Sequence, residues 1–327
     1  MSFEFYTNAR VNLLGNPSDI YYGITVSSTI ESLRVKGTIK KSEFKEYIIN
    51  GFYDEGFNTL INSSVMFLEQ KEFKIRPFTF AVATDIPKQA GLAGSSAIII
   101  NLLNCLNKLY QYNLDRRTIA HYATIIEHEV IGLTAGPSDR FIITYGGAKF
   151  MDYTCKDYRN YLIEDLDLKS IPLWVGIRTK NISSGDIHKF PYRAYPENVE
   201  LQEVVENLKK CGVLGKEAIE NNDIQLLGKL MNKNQKLTNV YGTFGNPDKN
   251  VQLQRRIDKE ILNFCNDNGI IGAKLVGSSG SIIILSEEKP EFLFDFNPSK
   301  ELNKELPYDS SEPQISEIVR LKPGKTN

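Results

Sequence analysis

The segment Pro87-Lys88-Gln89-Ala90-Gly91-Leu92-Ala93-Gly94-Ser95-Ser96-Ala97 stands directly before an apolar run and has the makings of an anion-binding loop. Its glycines let the main chain approach a ligand and adopt positive φ. Free N–H groups at a helix start, equivalent to roughly half a positive charge, then point at the anion. Ser95 and Ser96 add hydroxyls suited to phosphate oxygen or Mg²⁺. Serines before a helix also serve as plain N-caps, so this segment alone reads both ways. It is not a Walker A loop. Gly324-Lys325-Thr326 imitates the end of one, but Val319 stands where the first glycine is required.

Three further segments could carry chemistry. Glu127-His128-Glu129-Val130-Ile131-Gly132-Leu133-Thr134-Ala135-Gly136-Pro137-Ser138-Asp139-Arg140 places a carboxylate on a helix and another past a Gly/Pro loop. Such a pair can bring a metal ligand and a base together. Helical phase does not decide between Glu127 and Glu129, and Asp139 could equally cap the next segment. Lys274-Leu275-Val276-Gly277-Ser278-Ser279-Gly280-Ser281 is a small-residue turn between two strands, which an ordinary hairpin would also use. Ala9-Arg10-Val11-Asn12-Leu13-Leu14-Gly15-Asn16-Pro17-Ser18-Asp19 ends a strand in what reads as an exposed polar cluster or a turn.

The elements that must position these groups follow from periodicity. Residues 23–40 and 75–84 read as strands. Residues 95–110 put Ile99, Leu102, Leu103, Leu106, Leu109 and Tyr110 on one helical face, widened by Ile98 and Cys105, which predicts a buried helix. Residues 116–131 predict a second helix with Ile119, Tyr122, Ala123, Ile126 and Val130 inward. Gly146-Gly147 divides two strand-like runs, 141–145 and 148–153, a hairpin signal. A strand at 173–178, a loop at 179–189, helices near 197–221, 223–240 and 249–268, and short strands at 272–276 and 281–285 complete the pattern. Prolines concentrate after residue 289, so the tail from about Glu287 is expected to be irregular and edge-packed or mobile. The reading is α+β in two lobes, divided near residues 155–170.

Composition narrows the function classes. The chain has 327 residues, about twice a usual domain. Lys+Arg 39 against Asp+Glu 40 leaves a net charge of −1, without the basic excess of a nucleic-acid module. No apolar run reaches the ~18–20 residues of a membrane span. Residues 1–10 contain Glu4 and no apolar core of a secretory signal. Cys105, Cys155, Cys211 and Cys265 form no C-x-x-C pair, and His121, His128 and His188 are scattered. A cytoplasmic, soluble protein without a structural metal is the expected class.

Taken in order, the four segments resemble the GHMP kinase superfamily, which includes galactokinase, homoserine, mevalonate and phosphomevalonate kinases. Arg10-Val11-Asn12-Leu13-Leu14-Gly15 is similar to its first motif, residues 87–97 to its phosphate loop, and residues 277–281 to its third motif. Residues 127–139 resemble the galactokinase stretch from magnesium-binding Glu to catalytic Asp, with the same spacing and with Gly132 and Gly136 on the family's glycines. That match selects Glu127 over Glu129. Asn16-Pro17-Ser18-Asp19, Asp139-Arg140, Tyr145-Gly146-Gly147, Met151-Asp152, Ser184-Gly185-Asp186-Ile187-His188 and Leu230-Met231-Asn232-Lys233-Asn234 resemble the glucuronokinase branch more closely. The resemblance spans residues 9–285. Two departures stand out: Asn16-Pro17-Ser18 replaces the galactokinase Glu-His-Thr, and Ser279 and Ser281 replace residues more often Gly or Ala.

The resemblance implies a two-lobed GHMP kinase fold. Residues 1–165 would form a lobe like domain 2 of ribosomal protein S5, and residues 166–327 a ferredoxin-like α/β sandwich. It implies ATP-dependent phosphorylation of the anomeric hydroxyl of a sugar acid, D-glucuronate first, with galacturonate, arabinose or a related sugar as alternatives. A sugar- and ATP-binding sensor without turnover is the other class. In that scheme Pro87, Gly91, Leu92, Ala93, Gly94, Ser95, Ser96 and Ala97, with Gly277 and Ser278, hold ATP. Ser96 and Glu127 hold Mg²⁺. Asp139 is the base or orienting acceptor and Arg10 its neighbour at the developing charge. Asp19 accepts hydrogen bonds from sugar hydroxyls, and Arg140, His188, Lys189 and Arg193 are candidates for the substrate carboxylate. The implied partners are a small sugar or sugar acid and ATP, with no nucleic acid and no membrane; oligomeric state is left open.

Overall fold

The computed structural model describes residues 2–178, 187–277, 280–305 and 314–325. Strand β1 (Ser2–Leu14) runs antiparallel to the long β2 (Ile24–Lys41). β3 (Glu46–Ile49) and α1 (Glu55–Gln70) lead to β4 (Phe78–Thr84), which pairs with the C-terminal part of β2. α2 (Gly94–Tyr110), α3 (Arg116–Ile125) and α4 (Ser138–Tyr145) follow, then β5 (Ala148–Asp152) and β6 (Leu162–Asp165). The six strands form one sheet, in which β4 and β5 share the flank of β2 opposite β1.

The second sheet begins at β7 (Leu173–Arg178). Helices α5 (Lys189–Ala194), α6 (Val199–Glu220), α7 (Ile224–Thr243) and α8 (Lys249–Asp267) precede β8 (Gly272–Leu275) and β9 (Ile282–Leu285). α9 (Lys300–Asn303) and β10 (Ile315–Arg320) close the chain. The sheet order β10-β7-β9-β8, antiparallel throughout, is that of a ferredoxin-like sandwich. No helix among the described residues is long and apolar enough to cross a membrane.

β1 is the pivot of the molecule. Residues 7–14 are all buried, with α2 and α4 on one side and α6 and α7 in contact from the second lobe. A strand covered on both faces has no solvent side. Its outward-alternating residues Asn8, Arg10 and Asn12 are therefore buried polar groups that must find partners inside.

Three expectations change. Residues 141–145 are not a strand but the body of α4, and Gly146-Gly147 joins a helix to β5 rather than two strands. Phe141, Ile142 and Ile143 are buried, and a short apolar run buried on all sides has no period to betray its type. Pro137 before the helix and positive-φ Gly146 after it are the local features that bound it. The helix expected over residues 116–131 is regular only to Ile125 and continues as a π-helical turn, Ile126–Val130. The tail is edge-packed, as one alternative had it, but not irregular throughout: Ile315 and Ile318 are buried as β10 forms the edge of the second sheet. Beyond it, Thr29 Oγ1 and the Gly147 N–H both donate to the Gly324 carbonyl, at 2.6 and 2.7 Å, so the tail also ties back to the first sheet.

Candidate active site

Arg10 emerges from buried β1 against the start of α4. Its Nε and Nη2 donate to the two carboxylate oxygens of Asp139, each at 2.5 Å, a bidentate pair. Nη1 donates to the Gly91 carbonyl at 2.6 Å, so one guanidinium links the carboxylate to the glycine loop. Asn12 Nδ2 adds a hydrogen bond to Asp139 Oδ1 at 3.1 Å, and Ser27 Oγ in turn donates to Asn12 Oδ1 at 2.7 Å. The side chain of Asp139 is 19% exposed against 7% for Arg10. Among these linked groups Asp139 is the one that opens to the outside.

The glycine loop reaches α2 through two left-handed residues, Gly91 at φ 76° and Ala93 at φ 58°. At the start of α2 a second charged cluster forms. Ser95 Oγ donates to Glu127 Oε1 at 2.8 Å and Ser96 Oγ to Oε2 at 2.6 Å. Arg140 Nε reaches the same Oε2 at 2.5 Å, and its Nη1 donates to the Gly136 carbonyl at 2.9 Å. Glu127 is buried and Glu129 exposed, so the π-helical turn turns inward the carboxylate that phase could not choose. Asp139 lies 4.0 Å from Arg140 Nη1, which joins the two clusters.

Asp19 and Asp139 sit in opposed environments. Burial works to raise the Asp139 carboxyl, but the Arg10 charge and hydrogen bonds, with Arg140 and Asn12, outweigh it and hold it at about 2. Asp19 is pushed up to about 6 by burial and then by the like charge of Asp139, against the Ser138 N–H and Arg140. Ser138 N donates to Asp19 Oδ2 at 3.1 Å. A Cβ at Gly136 would stand 2.2 Å from that oxygen, so only glycine admits Asp19 here. The cluster expected to be exposed is thus buried: Asn16, Ser18 and Asp19 all lie inside. The reason is α7, whose Asn234 accepts from the Gly15 N–H at 2.6 Å and covers the corner.

The third motif docks on the loop from the second lobe. Ser281 N and Oγ both donate to the Ala90 carbonyl, at 2.9 and 2.8 Å, and Asn12 N donates to the Val276 carbonyl at 3.0 Å. A Cβ at Gly280 would meet that Ala90 oxygen at 2.4 Å, and one at Gly277 the Gly91 oxygen at 3.1 Å. Ser278 and Ser279 lie outside the described residues, as do Ser184, Gly185 and Asp186. Lys274 is fully buried, with Nζ donating to the Asn12 carbonyl, Asn16 Oδ1 and the Leu275 carbonyl at 2.8, 3.1 and 2.7 Å. Burial, then Arg10, pulls its pKa down to about 7.

Not every candidate joins this centre. Pro87, Gly91, Leu92, Ala93, Gly94 and Ser95 border a cleft of about 860 Å³ that Phe52 and Tyr53 close from the β3–α1 connection. Ser96 and Ala97 are buried behind it. Arg140 is engaged by Glu127 and Gly136. His188 precedes α5 with its ring 5.7 Å from that of Tyr241, while Lys189 and Arg193 are exposed on α5. Sequence reasoning missed Asn12 as an Asp139 partner, Lys274, and the aromatic pair at 52–53. Alternation along β1 could have flagged Asn12, two residues past Arg10 and so on the same face.

Comparison with known proteins gives a consistent picture. Residues 59–147 match the family described as GHMP kinases N terminal domain, and residues 216–301 the one described as GHMP kinases C terminal. Glucuronokinase 1 of Arabidopsis thaliana is 25% identical over 323 residues, covering 88% of this chain and 86% of that one. D-glycero-alpha-D-manno-heptose 7-phosphate kinase of Campylobacter jejuni is 23% identical over 332 residues, covering 91% and 90%. Among solved structures, Lactococcus lactis galactokinase complexed with galactose superposes with a TM-score of 0.70 at 14% identity, covering 100% of this chain and 95% of that one.

Proposed function

Because the chain belongs to the GHMP kinase family, we propose that it transfers the γ-phosphate of ATP to the anomeric hydroxyl of a sugar acid, D-glucuronate first. Its broader class is an ATP-dependent phosphotransferase with a sugar hydroxyl as acceptor. The observation that carries the proposal is the Arg10 guanidinium, which bridges Asp139 and the Gly91 carbonyl. One residue thereby fixes the acceptor-side carboxylate against the loop proposed to hold the triphosphate. We divide the lobes at residues 165 and 166, between β6 of the first sheet and β7 of the second. A cytoplasmic setting suits the four free thiols.

The donors at the start of α2 fit a divalent cation. Ser95, Ser96 and Glu127 offer oxygen alone, the ligand set of Mg²⁺. Among the described residues no group of three or more His, Cys, Asp or Glu could hold a metal. Phosphate oxygens would therefore complete the shell. In this reading Ser96 and Glu127 hold the ion, and when bound it neutralises charge on the transferring phosphate. The cleft beside Phe52 and Tyr53 takes the nucleotide base, and Gly91 to Ala97 with Gly277 and Ser278 bracket the phosphates.

Phosphoryl transfer through a loose transition state needs positioning more than a strong base. A carboxyl held at about 2 is a weak base and a permanent acceptor. Asp139 accordingly orients the attacking hydroxyl and takes its proton late, while Arg10 keeps Asp139 ionised and adds positive potential. Asp19 faces the sugar hydroxyls. The test is ADP release over a panel of glucuronate, galacturonate, glucose, galactose, arabinose and mevalonate. Glucuronate should give the highest kcat/KM. A neutral sugar ranking first sinks the sugar-acid assignment, and ATP binding without ADP release from any acceptor turns the reading to a sensor.

A further inference from the structure

Asp19 lines a cavity of about 270 Å³ whose other walls include Gly136, Pro137, His128 and Tyr192. A second cavity, of about 620 Å³, shares four lining residues with it: Ile20, Tyr22, Lys156 and Tyr192. The two differ in charge. The inner cavity holds the carboxylates Asp19, Glu129 and Asp157, the last answered by Arg159 at 2.9 Å. The outer one is lined by Lys156, Arg193 and Lys209 and, among the described residues, by no carboxylate. Like charges gathered on a concave wall focus a positive potential that draws an anion.

Two of these cations have no carboxylate to answer. Lys156 follows β5 in a turn that its N–H closes on the Tyr153 carbonyl at 3.0 Å, and its Nζ lies 5.6 Å from the centre of the Tyr22 ring. Arg193 stands on α5. Lys209, on α6, pairs with Glu206 at 2.5 Å, whereas Lys156 and Arg193 enter no ion pair among the described residues. The tyrosine wall between them is braced. Tyr21 stacks on Tyr195 with ring centres 4.0 Å apart, and its hydroxyl lies 3.0 Å from that of Tyr241. A tyrosine offers an apolar face to the C–H side of a sugar and a hydroxyl to its oxygens.

The position suits an acceptor with charge at one end. Asp19 sits in the single 3₁₀ turn Ser18–Tyr21, and the next residues, Ile20, Tyr21 and Tyr22, line the outer cavity. The basic wall therefore begins one residue beyond the carboxylate assigned to the sugar hydroxyls. We propose that the outer cavity is the subsite for the anionic end of the acceptor, with Arg193 and Lys156 taking a carboxylate or phosphate that the sugar carries away from its reacting hydroxyl. The assignment rests on the kinase reading above. It singles out Arg193 among the candidates of the sequence and adds Lys156. It sets aside Arg140, whose guanidinium is occupied by Glu127 and the Gly136 carbonyl.

The test is steady-state kinetics of wild type, R193M, K156M, their combination and R193K, with ATP varied separately. The acceptors are glucuronate, glucose 6-phosphate and glucose, which share one ring and differ only in the group on its exocyclic carbon. Wild type should prefer an anionic sugar to glucose, and whichever anion ranks first names the group the subsite takes. The double variant should lose that preference by about tenfold or more, through KM rather than kcat, because charge-assisted contacts are removed. Each single variant should lose part of it, R193K should keep more than R193M, and KM for ATP should move less than about twofold. Both side chains are exposed, so the variants should melt with wild type. An anion preference that survives in the double variant overturns the assignment and leaves the kinase reading standing. So does a wild type that uses glucose as well as either anion, or an equal loss with all three sugars. A rise in KM for ATP with the anion preference intact also overturns it, assigning the two cations to the nucleotide. Absence of ADP release by wild type with every acceptor is the failure of the kinase reading itself. The subsite is then decided by calorimetric titration of glucuronate and glucose 6-phosphate: binding of one that the double variant loses upholds it, and no difference overturns it.

Discussion

Two buried ionic clusters differ in closure. Around Arg10, Asp139, Glu127 and Arg140, each guanidinium has carboxylate and carbonyl partners, and each carboxylate has at least two donors. Around Arg255 and Asp258, one guanidinium and one carboxylate oxygen have none. The first cluster is organised before any ligand arrives, as electrostatic catalysis requires. The second holds buried polar atoms that no hydrogen bond satisfies.

The strongest way to break that contrast is Asp139→Asn. It leaves Arg10 with a neutral amide, and ADP release should fall about 10²–10⁴-fold with little change in acceptor binding by titration. A small effect on turnover would mean that the closed cluster is only structural. Next is Glu127→Ala, which strands buried Arg140 and should lower unfolding stability by about 3–5 kcal/mol in urea. R255M, removing a charge that has no partner, should show no such loss in the same titration. Equal losses would erase the distinction between the clusters.

The smallest expected effect separates the two aspartates. Asp139, held at about 2 against an ordinary 3.8, contributes stability above pH 3.8 that is lost as pH falls toward 2. Asp19, raised to about 6, has the opposite sign: its contribution is full below pH 3.8 and is lost as pH rises through 6. Its share should be on the order of 2–3 kcal/mol. Wild type should therefore lose stability between pH 4 and 6 relative to Asp19→Asn. Parallel curves for the two proteins would place the Asp19 charge in a more polar setting than its surroundings indicate.

Much of the site was legible as local pattern. The glycine loop, α2 and the three long helices follow from residue type and period, because a turn's φ demands and a helix's apolar face are local properties. The failures are equally physical. Residues 141–144 are buried in α4, so their β-branched composition misled. Glu127 and Glu129 could not be separated while the helix was taken as regular, because the π-helical turn rephases its side chains. Asn16 and Asp19 read as exposed because nothing near them in sequence covers them; α7 does, more than two hundred residues later.

The sequence by itself determined the motif order, the kinase family and the residue types of the closed cluster, since each motif is a short run whose chemistry is local. Tertiary structure decided which charges are paired. Arg10 meets Asp139 across 129 positions and Glu127 meets Ser96 across 31, while no hydrogen-bond partner reaches the Arg255 guanidinium. Whether a buried charge is satisfied depends on what the fold brings within about 3 Å of it, and no window along the chain contains that distance.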